Sequence, residues 1–297
     1  MEQLKECPSC GSGNHTFERK CKDFTVSAEL FQIVRCSECE LLFTNPRPDP
    51  SEISKYYESK DYISHSNSNA GIFNKIYKLV RNHSIKKKIQ LIDKYSSSSK
   101  KNLLDIGCGT GEFLHACKNA GWTVTGIEPS EKAREQAKQN WSLNVYDESG
   151  FSMLKTGEKQ SVITMWHVLE HVHSLQQRIQ QIHELLDHSG ILIVAVPNPT
   201  SWDAQHYQDL WAAYDVPRHL YHFNPEVLKK SFSGHGFKHI ASKPMPFDSF
   251  YVSLLSEKYK SGKSNFMSAI FSGLRSNFKA GKNPEKYSSV IYIFQKM

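Results

Sequence analysis

The stretch LLDIGCGTGEFL, residues 103–114, decides the fold of this chain. An apolar segment at 103–106 runs into a loop with glycine at 107, 109 and 111, and a helical pattern follows at 112–119. Glycine allows the backbone to turn sharply and to approach a ligand closely. The stretch therefore predicts a strand, a tight ligand-binding turn and a helix in succession.

The loop does not suit a phosphate ligand. A dinucleotide fingerprint would need glycine at position 112, where Glu112 would instead face the pyrophosphate. The Gly-Lys-Ser/Thr of a phosphate-binding loop is absent as well. We therefore expect a ligand that lacks phosphate but has a cationic end, which Asp105 and backbone carbonyl groups would contact.

Strand and helix patterns alternate after this stretch. Apolar strand patterns occur at 123–127, 143–146, 162–166, 191–196 and 237–241, and amphipathic helical patterns at 131–140, 175–187 and 225–234. This alternation predicts an α/β fold with a doubly wound sheet and right-handed crossovers. Ligands bind beyond the carboxyl ends of the strands in such sheets. Glu128 ends the second strand, where its carboxylate can accept both hydroxyls of a ribose, and Ser130 can cap the next helix.

These motifs resemble those of the class I S-adenosylmethionine-dependent methyltransferases. LLDIGCGTGEFL is similar to their first motif, and GIEPS, residues 126–130, to their acidic ribose motif. The resemblance implies a Rossmann-like, seven-stranded sheet whose last strand is antiparallel. SSVIYIFQ, residues 288–295, is the candidate for that strand, paired beside 237–241. The resemblance also implies that S-adenosylmethionine is the cofactor.

The resemblance further implies which residues surround this cofactor. The glycine loop would lie under the methionine part, and Glu128 would bind the ribose. Asp147, after the third strand, would lie near the adenine amine, and His167, after the fourth, would line the methionine pocket. The full predicted set is Asp105, Gly107, Cys108, Gly109, Gly111, Glu128, Pro129, Asp147, Trp166 and His167.

The fourth strand is followed by a possible second metal motif. His167, Glu170 and His171 match the HxxEH pattern of one metalloprotease class. That chemistry needs a long helix, whereas this stretch directly follows a strand, so we disfavour a protease. The Leu-Glu-His triplet also resembles quinone O-methyltransferases, in which the Glu and His can hold a divalent metal. Two roles therefore remain open for Glu170 and His171: metal ligands, or residues that tie the loop to the sheet.

Cysteine spacing predicts a metal site ahead of the α/β unit. Cys7 and Cys10 form one CxxC pair, and Cys36 and Cys39 form a second. Two such turns supply the four thiolates of a tetrahedral zinc site, which would hold together a segment of about 50 residues with little core. No secretion signal supports disulfides, and two matched pairs favour one shared ion over a redox motif. We expect a structural zinc ribbon, with Gly11 in a left-handed turn.

The segment DVPRHLYHF, residues 215–223, is the candidate catalytic loop. Histidine titrates near neutral pH and can accept a proton from a nucleophile. We predict His219 as the general base with His222 as its partner, and Arg218 and Tyr221 as contacts of substrate oxygens. The arrangement resembles bacterial sugar C-methyltransferases with a zinc ribbon, in which a Glu-His dipeptide supplies the base. Here Arg218-His219 stands in that place, so the histidine carries over and the glutamate does not.

The patterns divide the chain into three regions: a zinc ribbon at 1–48, a linker with basic amphipathic helices at 49–100, and a methyltransferase domain at 101–297. A helical insertion is expected at about 247–285. Serine-rich stretches at 64–69 and 96–99 are predicted linkers. Apolar spacing over 70–95 predicts one or two helices with Lys86, Lys87 and Lys88 near the solvent side. These helices and the insertion would form a lid over the site.

Composition and charge exclude several other protein classes. The 297 residues carry a net charge of +7 and are 39% hydrophobic, which suits a globular protein and excludes a disordered chain. No apolar run approaches the roughly 18–20 residues of a membrane span, and no signal core is present, so we expect a cytoplasmic location.

The expected acceptor is a small molecule, methylated on oxygen or carbon: a sugar, a quinone or a lipid-linked precursor. Methylation of ribosomal or transfer RNA and a non-catalytic cofactor-binding module are the alternatives. Nucleic acid is disfavoured because residues 1–50 carry 6 basic and 8 acidic groups, a poor balance for phosphate binding. The Asn-Pro-Pro-Tyr signature of base amino-methylation is also absent after the fourth strand.

Overall fold

The computed structural model describes residues 1–58, 72–96, 98, 100–155 and 157–297. The predicted linker at 64–69 lies outside the described residues. The strands are β1 (His15–Lys22), β2 (Leu30–Cys36), β3 (Leu42–Thr44), β4 (Asn102–Ile106), β5 (Thr123–Ile127), β6 (Val145–Tyr146), β7 (Gln160–Trp166), β8 (Leu186–Pro197), β9 (Tyr221–His222), β10 (Phe237–Pro244) and β11 (Ser289–Lys296). The α-helices are α1 (Ile72–Tyr95), α2 (Glu112–Asn119), α3 (Glu131–Trp141), α4 (Gly150–Lys155), α5 (Leu175–Leu185), α6 (Trp202–Tyr207), α7 (Pro225–Ser233), α8 (Asp248–Ser261) and α9 (Phe266–Ala280).

A seven-stranded mixed sheet forms the centre of the larger unit. Its strand order is β10-β11-β8-β7-β4-β5-β6, and β4 to β8 pair in parallel. Strand β11 lies between β10 and β8 and is antiparallel to both, as the sequence predicts. The predicted fold class, a doubly wound sheet with an antiparallel last strand, is confirmed. The central strands are buried because helices cover both faces of such a sheet.

Several boundaries differ from the predicted ones: β8 begins at Leu186 rather than at 191, and β10 ends at Pro244 rather than at 241. Helix α5 ends at Leu185, two residues early, because Leu186 already pairs with Gln160 in the sheet. Strand β6 has two residues rather than four, since helix α3 ends in a left-handed residue, Ser142, with φ 51°. The predicted cap of α3 is confirmed: the Ser130 hydroxyl accepts a hydrogen bond from the Ala133 amide.

A second, four-stranded antiparallel sheet joins the amino-terminal region to the larger unit. Its order is β1-β2-β3-β9, and β9 comes from residues far beyond the predicted ribbon. Phe43 pairs with Tyr221 and Leu42 with His222. One hydrophobic cluster also includes Leu41 and Phe43 on one side and residues of the larger unit on the other. The predicted boundary at residue 48 therefore separates the two regions in sequence but not in space.

Two helical elements lie against the carboxyl edge of the main sheet. Helix α1 packs on α2, and the hairpin α8–α9 is inserted between β10 and β11. The two elements meet where the His83 ring lies edge-on to the Phe247 ring, with 6.1 Å between centroids. Within the described residues, no helix combines the length and apolar character needed to cross a membrane.

Candidate functional site

The loop after β4 makes the tight turn that its glycines predict. Gly107, Gly109 and Gly111 have φ values of 75°, 56° and 84°, in the left-handed region that favours glycine. The Gly107 amide donates to the Ile127 carbonyl at 2.7 Å, which ties the loop to β5. A Cβ on Gly107 would lie 2.3 Å from Val168 Cγ2, whereas a Cβ on Gly109 would have no atom within 4 Å. The loop is thus packed on one side and open on the other.

The carboxylate of Glu128 lies against this open side. One oxygen accepts a hydrogen bond from the Gly109 amide and the other from the Ser130 amide, both at 2.9 Å. A carboxylate has about four acceptor positions, so about two remain for further donors. Glu128 is half-buried and therefore reachable by a ligand. The geometry suits two adjacent hydroxyls, as a ribose presents.

Asp105 lies beneath the loop and is buried. It accepts a hydrogen bond from the Thr164 hydroxyl at 2.5 Å. Burial raises the pKa of Asp105 to about 7, although this hydrogen bond and the nearby Lys88 ammonium oppose the shift. A buried carboxylate with a pKa near neutrality responds strongly to any cation bound beside it.

The position of Lys88 corrects one prediction. Lys86 and Lys87 are exposed as expected, but the Lys88 ammonium lies 4.0 Å from the Trp166 ring centroid and 5.6 Å from that of Phe113. Burial lowers the pKa of Lys88, while Asp105 opposes the shift. Lys88 thus places a cation among the residues predicted to surround the methionine part of the cofactor.

The other predicted cofactor contacts lie at the same edge of the sheet. Cys108 is buried in the loop, and burial raises the pKa of its thiol. Pro129 and Asp147 follow β5 and β6 and are exposed. The Asp147 carboxylate accepts hydrogen bonds from the amide and hydroxyl of Ser149, at 2.9 and 2.5 Å.

His167 connects the end of β7 to the inserted hairpin. Its Nε2 lies 3.0 Å from Asp248 Oδ2, and its Nδ1 lies 3.4 Å from Glu170 Oε1. Burial disfavours the charged imidazole, but the two carboxylates outweigh this cost and raise the pKa of His167 to about 10. His167 is therefore a fixed cation at neutral pH, held in a left-handed backbone conformation with φ 56°.

Glu170, His171 and His219 form a buried cluster beside this pair. One potential ligand atom of each lies within 4.8 Å of the other two. Glu170 is 1% exposed, and apart from the ion pair of Oε1 with His167, neither of its oxygens accepts a hydrogen bond within the described part of the chain. Burial and the neighbouring His219 lower the pKa of His171 to about 4, so its ring is neutral at neutral pH. Two imidazoles and a buried carboxylate are a chemically suitable donor set for a divalent metal.

Both histidines of this cluster are oriented through Nδ1. His219 Nδ1 lies 2.9 Å from the Ala213 carbonyl oxygen, and His171 Nδ1 lies 3.0 Å from that of Arg218. A carbonyl oxygen only accepts, so Nδ1 of His219 carries the proton in the neutral ring, which leaves its Nε2 as an acceptor. Nδ1 of His171 also lies 3.0 Å from the Tyr57 hydroxyl. His219 Nε2 lies 3.9 Å from Asp215 Oδ2, which would stabilise a proton taken up there.

Two of the predicted catalytic side chains are instead occupied by protein partners. Arg218 is 2% exposed and donates to Asp215 at 2.6 Å and to Asp23 at 3.1 Å. The Tyr221 hydroxyl donates to the His173 carbonyl at 2.7 Å. Both side chains fasten the loop to the amino-terminal region, which corrects the prediction that they contact substrate.

His222 also belongs to the junction between the two sheets. It pairs with Leu42 in the smaller sheet, and its Nε2 lies 3.5 Å from the Thr44 hydroxyl. Burial lowers the pKa of His222 well below its usual value. The ring that contacts His219 edge-on is that of His171, with 4.6 Å between centroids. His171 therefore takes the place that we predicted for His222.

The four predicted zinc ligands come together beside the smaller sheet, where Cys36 ends β2. Their sulfur atoms lie within 4.8 Å of one another, with 3.5 Å between Cys7 and Cys39 and 3.6 Å between Cys10 and Cys36. Four thiolates at about 2.3 Å from a tetrahedral zinc ion would be about 3.8 Å apart, so the cluster fits one ion. Gly11 has φ 76°, as the turn after the first pair requires.

Sequence reasoning missed three residues of this site: Lys88, Asp215 and Asp248. Lys88 carries a local signal, because it lies on the same helical stripe as Ile85, Ile89 and Ile92 rather than opposite it. Asp215 and Asp248 carry none. Their contacts with the two histidines depend on how the catalytic loop and the hairpin fold back onto the sheet.

Comparison with known proteins agrees with this geometry. A family described as methyltransferase domain matches residues 78–242. The ubiquinone biosynthesis O-methyltransferase of Actinobacillus pleuropneumoniae is 38% identical over 110 residues, covering 34% of this chain and 47% of the relative. The protein of the same name from Rickettsia canadensis is 27% identical over 154 residues, covering 50% and 64%. The chain thus spans about half the length of these curated relatives.

Solved structures share the fold. A SAM-dependent methyltransferase from Archaeoglobus fulgidus superposes with a TM-score of 0.50 at 20% identity, over 76% of this chain and 100% of that one. A magnesium protoporphyrin IX methyltransferase from Synechocystis, solved with bound SAH, gives a TM-score of 0.54 at 15% identity, over 82% and 98%. At these identities the likeness concerns the fold alone.

Proposed function

Because the chain belongs to the methyltransferase domain family, we propose that it transfers a methyl group from S-adenosylmethionine to an oxygen or carbon atom of a small molecule. The observation that carries the proposal is the Glu128 carboxylate, held against the open side of the glycine loop by the amides of Gly109 and Ser130. The names of the curated relatives favour a quinone or a related phenolic oxygen as acceptor.

The residues present fit this cofactor. Glu128 retains acceptor capacity for two ribose hydroxyls, and the space beside Gly109 is open. Asp105 would face the cationic methionine end, because a carboxylate attracts a cation. When bound, S-adenosylmethionine supplies an electrophilic methyl group on a sulfonium centre, and the protein must position and deprotonate the acceptor.

His219 is suited to remove the acceptor proton. Its Nδ1–H donates to the Ala213 carbonyl, so Nε2 can accept a proton from a hydroxyl or an acidic C–H. The resulting imidazolium would be stabilised by Asp215, whose carboxylate lies 3.9 Å away. Asp215 is itself held by Arg218, and although burial opposes its charge, this contact keeps the pKa of Asp215 below its usual value. Arg218 thus acts on the base through Asp215.

Calorimetry with S-adenosylmethionine tests the cofactor site. Glu128→Ala removes the acceptor of two ribose hydroxyls, and each hydrogen bond to a charged group contributes about 1.5–3 kcal/mol, so we expect the Kd to rise at least about tenfold. Glu131→Ala, on the exposed start of α3, is the matched control and should bind as the parent does. Equal affinities of the parent and Glu128→Ala, or no heat with the parent, would refute the proposal.

As an alternative to a base at His219, the cluster could hold a divalent metal, with Glu170, His171 and His219 as its ligands. The buried Glu170 carboxylate and the two imidazoles fit such an ion, which would polarise an acceptor oxygen. Magnesium or manganese titration of chelated enzyme separates the two roles of His219. If His219 is the base, His219→Gln should lose turnover without a change in metal dependence. If His219 is a metal ligand, the same variant should lose both metal binding and turnover.

We also propose that Cys7, Cys10, Cys36 and Cys39 hold one structural zinc ion. Four thiolates complete the tetrahedral shell and leave no position for substrate, which indicates a structural role. Elemental analysis of freshly purified, reduced protein should find one zinc per chain. Cys36→Ser should lose it, while Cys117→Ser, at a buried cysteine outside the cluster, should retain it. A metal-free parent protein would contradict the proposal.

A further inference from the structure

Helix α9 has its small residues inside and its large ones outside. The face that packs on α8 and α6 consists of Ala269, Ser272, Gly273, Ser276 and Ala280. The contact is close, because a Cβ on Gly273 would lie 2.6 Å from Cδ1 of Phe250. The Ser276 hydroxyl also donates to Asp203 at 2.7 Å, so the orientation of the helix is fixed by polar as well as steric contacts.

The opposite side of α9 is a continuous apolar stripe, which we call the apolar face. Its side chains are 49–82% exposed, and its members are Met267, Ile270, Phe271, Leu274 and Phe278. Their spacing places them within one sector of the helix. A contiguous apolar patch of this kind on a protein surface marks an interaction site, because leaving it in water is costly.

The segment of the chain that carries the apolar face has charges of one sign. Residues 258–282 contain six basic side chains and no acidic one. All six are exposed: Lys258, Lys260, Lys263, Arg275, Lys279 and Lys282. A second copy docked face to face would bring two such basic sets together and be repelled. Anionic lipid headgroups would complement the same set, while the apolar side chains enter the boundary between headgroups and acyl chains.

We propose that the apolar face and the surrounding basic residues form a docking surface for an anionic membrane. The helix lies in the plane of the surface and does not cross it. The hairpin that carries this surface also reaches the candidate site, since Asp248 at the start of α8 contacts His167 at 3.0 Å. Docking would therefore bring the edge of the main sheet that carries the site close to the lipid.

Vesicle co-sedimentation of the full-length chain tests the proposal without cofactor or acceptor, so its result is independent of the proposed methyl transfer. The probes are vesicles of phosphatidylcholine alone and of an equal mixture with phosphatidylglycerol. We expect the parent to bind the mixed vesicles, and Phe271→Ser/Phe278→Ser to bind them at least about tenfold more weakly. Phe17→Ser, at another exposed phenylalanine on β1, is the matched control and should bind like the parent.

Charge and folding controls complete the design. Lys279→Glu/Lys282→Glu should lose the preference for phosphatidylglycerol, and salt should weaken binding of the parent. The double phenylalanine variant should keep the parent's melting temperature, because its changes lie on exposed positions. The proposal would be overturned if the parent did not bind, if parent and phenylalanine variant bound equally, or if the variant lost much of its stability. It would also be overturned if the parent were a dimer and the phenylalanine variant a monomer.

Discussion

Gly107 and Gly109 lie two residues apart in the same loop, yet a methyl group on Gly107 would meet a packed side chain and one on Gly109 would enter open space. Both have positive φ, so alanine costs roughly 1–2 kcal/mol of backbone strain at either position. Only at Gly107 would the new Cβ also overlap a neighbour, Val168 Cγ2 at 2.3 Å. At Gly109 the open space is the volume that we propose for the cofactor.

We therefore expect different losses from the two alanine variants. Gly107→Ala should lower the free energy of unfolding by more than about 3 kcal/mol, because overpacking adds to strain. Gly109→Ala should lose about 1–2 kcal/mol but bind S-adenosylmethionine at least about tenfold more weakly. Urea unfolding and calorimetry measure the two quantities. Equal stability of the two variants, or no rescue of Gly107→Ala by Val168→Ala, would contradict this account.

Asp105 should make cofactor affinity depend on pH. Its pKa is about 7 in the free protein, because burial disfavours the carboxylate. A bound cation would lower this pKa, so binding must release a proton below pH 7 but not above it. Affinity should therefore rise from about pH 6 to about pH 8, by close to tenfold. Calorimetry across this range checks the slope, and Asp105→Asn should abolish it; the same slope in both proteins would exclude Asp105 as the cause.

Among individual residues, the sequence predicts those whose role depends on their spacing within one short segment. The glycines, Glu128 and the four cysteines are defined by spacing within short segments, and the structure brings each set together. The exposed position of Asp147 leaves its predicted role near the adenine untested. The polar side chains of Arg218 and Tyr221 suggest substrate contacts, but the protein occupies both. Arg218 contacts the nearby Asp215 and the sequence-distant Asp23, and Tyr221 contacts the sequence-distant His173.

Among the elements, the main sheet was predictable and strand β9 was not. Strands β4, β7 and β8 are apolar runs bounded by loops, and β11 has a clear β pattern. Strand β9 has only two residues, too few for a periodic signal, and it forms because β3 pairs with it. Its existence depends on docking of the amino-terminal sheet, which no local pattern in the catalytic loop encodes.

The pairing of β3 with β9 makes Thr44 a positioning residue for the candidate base. The Thr44 hydroxyl donates to the His219 carbonyl at 2.8 Å, and the Thr44 amide donates to the Leu220 carbonyl at 3.0 Å. Thr44→Val keeps the side-chain volume and removes the first bond, which loosens the backbone that carries the His219 ring. We expect kcat to fall at least about fivefold while the Kd for S-adenosylmethionine stays within about twofold.

Steady-state kinetics and calorimetry on the same preparation separate these two effects. Thr16→Val, at an exposed threonine of β1 in the same sheet, is the matched control and should leave both values unchanged. A parallel loss of cofactor affinity in Thr44→Val would indicate a general disturbance of the fold. An unchanged kcat would show that β3 does not position His219.

For the whole molecule, the contacts between the amino-terminal sheet and the main unit resemble those inside a single domain. The Ser9 and Ser231 hydroxyls are 2.9 Å apart, and Gln176 donates to the Ser9 carbonyl at 2.6 Å. The buried ion pair of Arg218 with Asp23 spans the same junction. Breaking such a pair by removing one partner is strongly destabilising, because the other charge stays buried and uncompensated.

The two parts should therefore unfold together, and zinc should stabilise both. A structural zinc ion contributes folding free energy, and 1 kcal/mol corresponds to about 2–4 °C in the melting temperature of a chain of about this size. We expect one calorimetric transition in the reduced, metal-loaded protein, shifted down by at least about 10 °C after chelation. Tryptophan fluorescence should shift equally, because all five tryptophans lie beyond residue 120, outside the ribbon, and loss of the ribbon exposes Leu220 and Phe223 in the shared cluster. If two transitions appeared and chelation lowered the temperature of only one, the ribbon would be an independent unit. The contacts at Ser9, Gln176 and Arg218 would then be too weak to couple its unfolding to that of the main sheet.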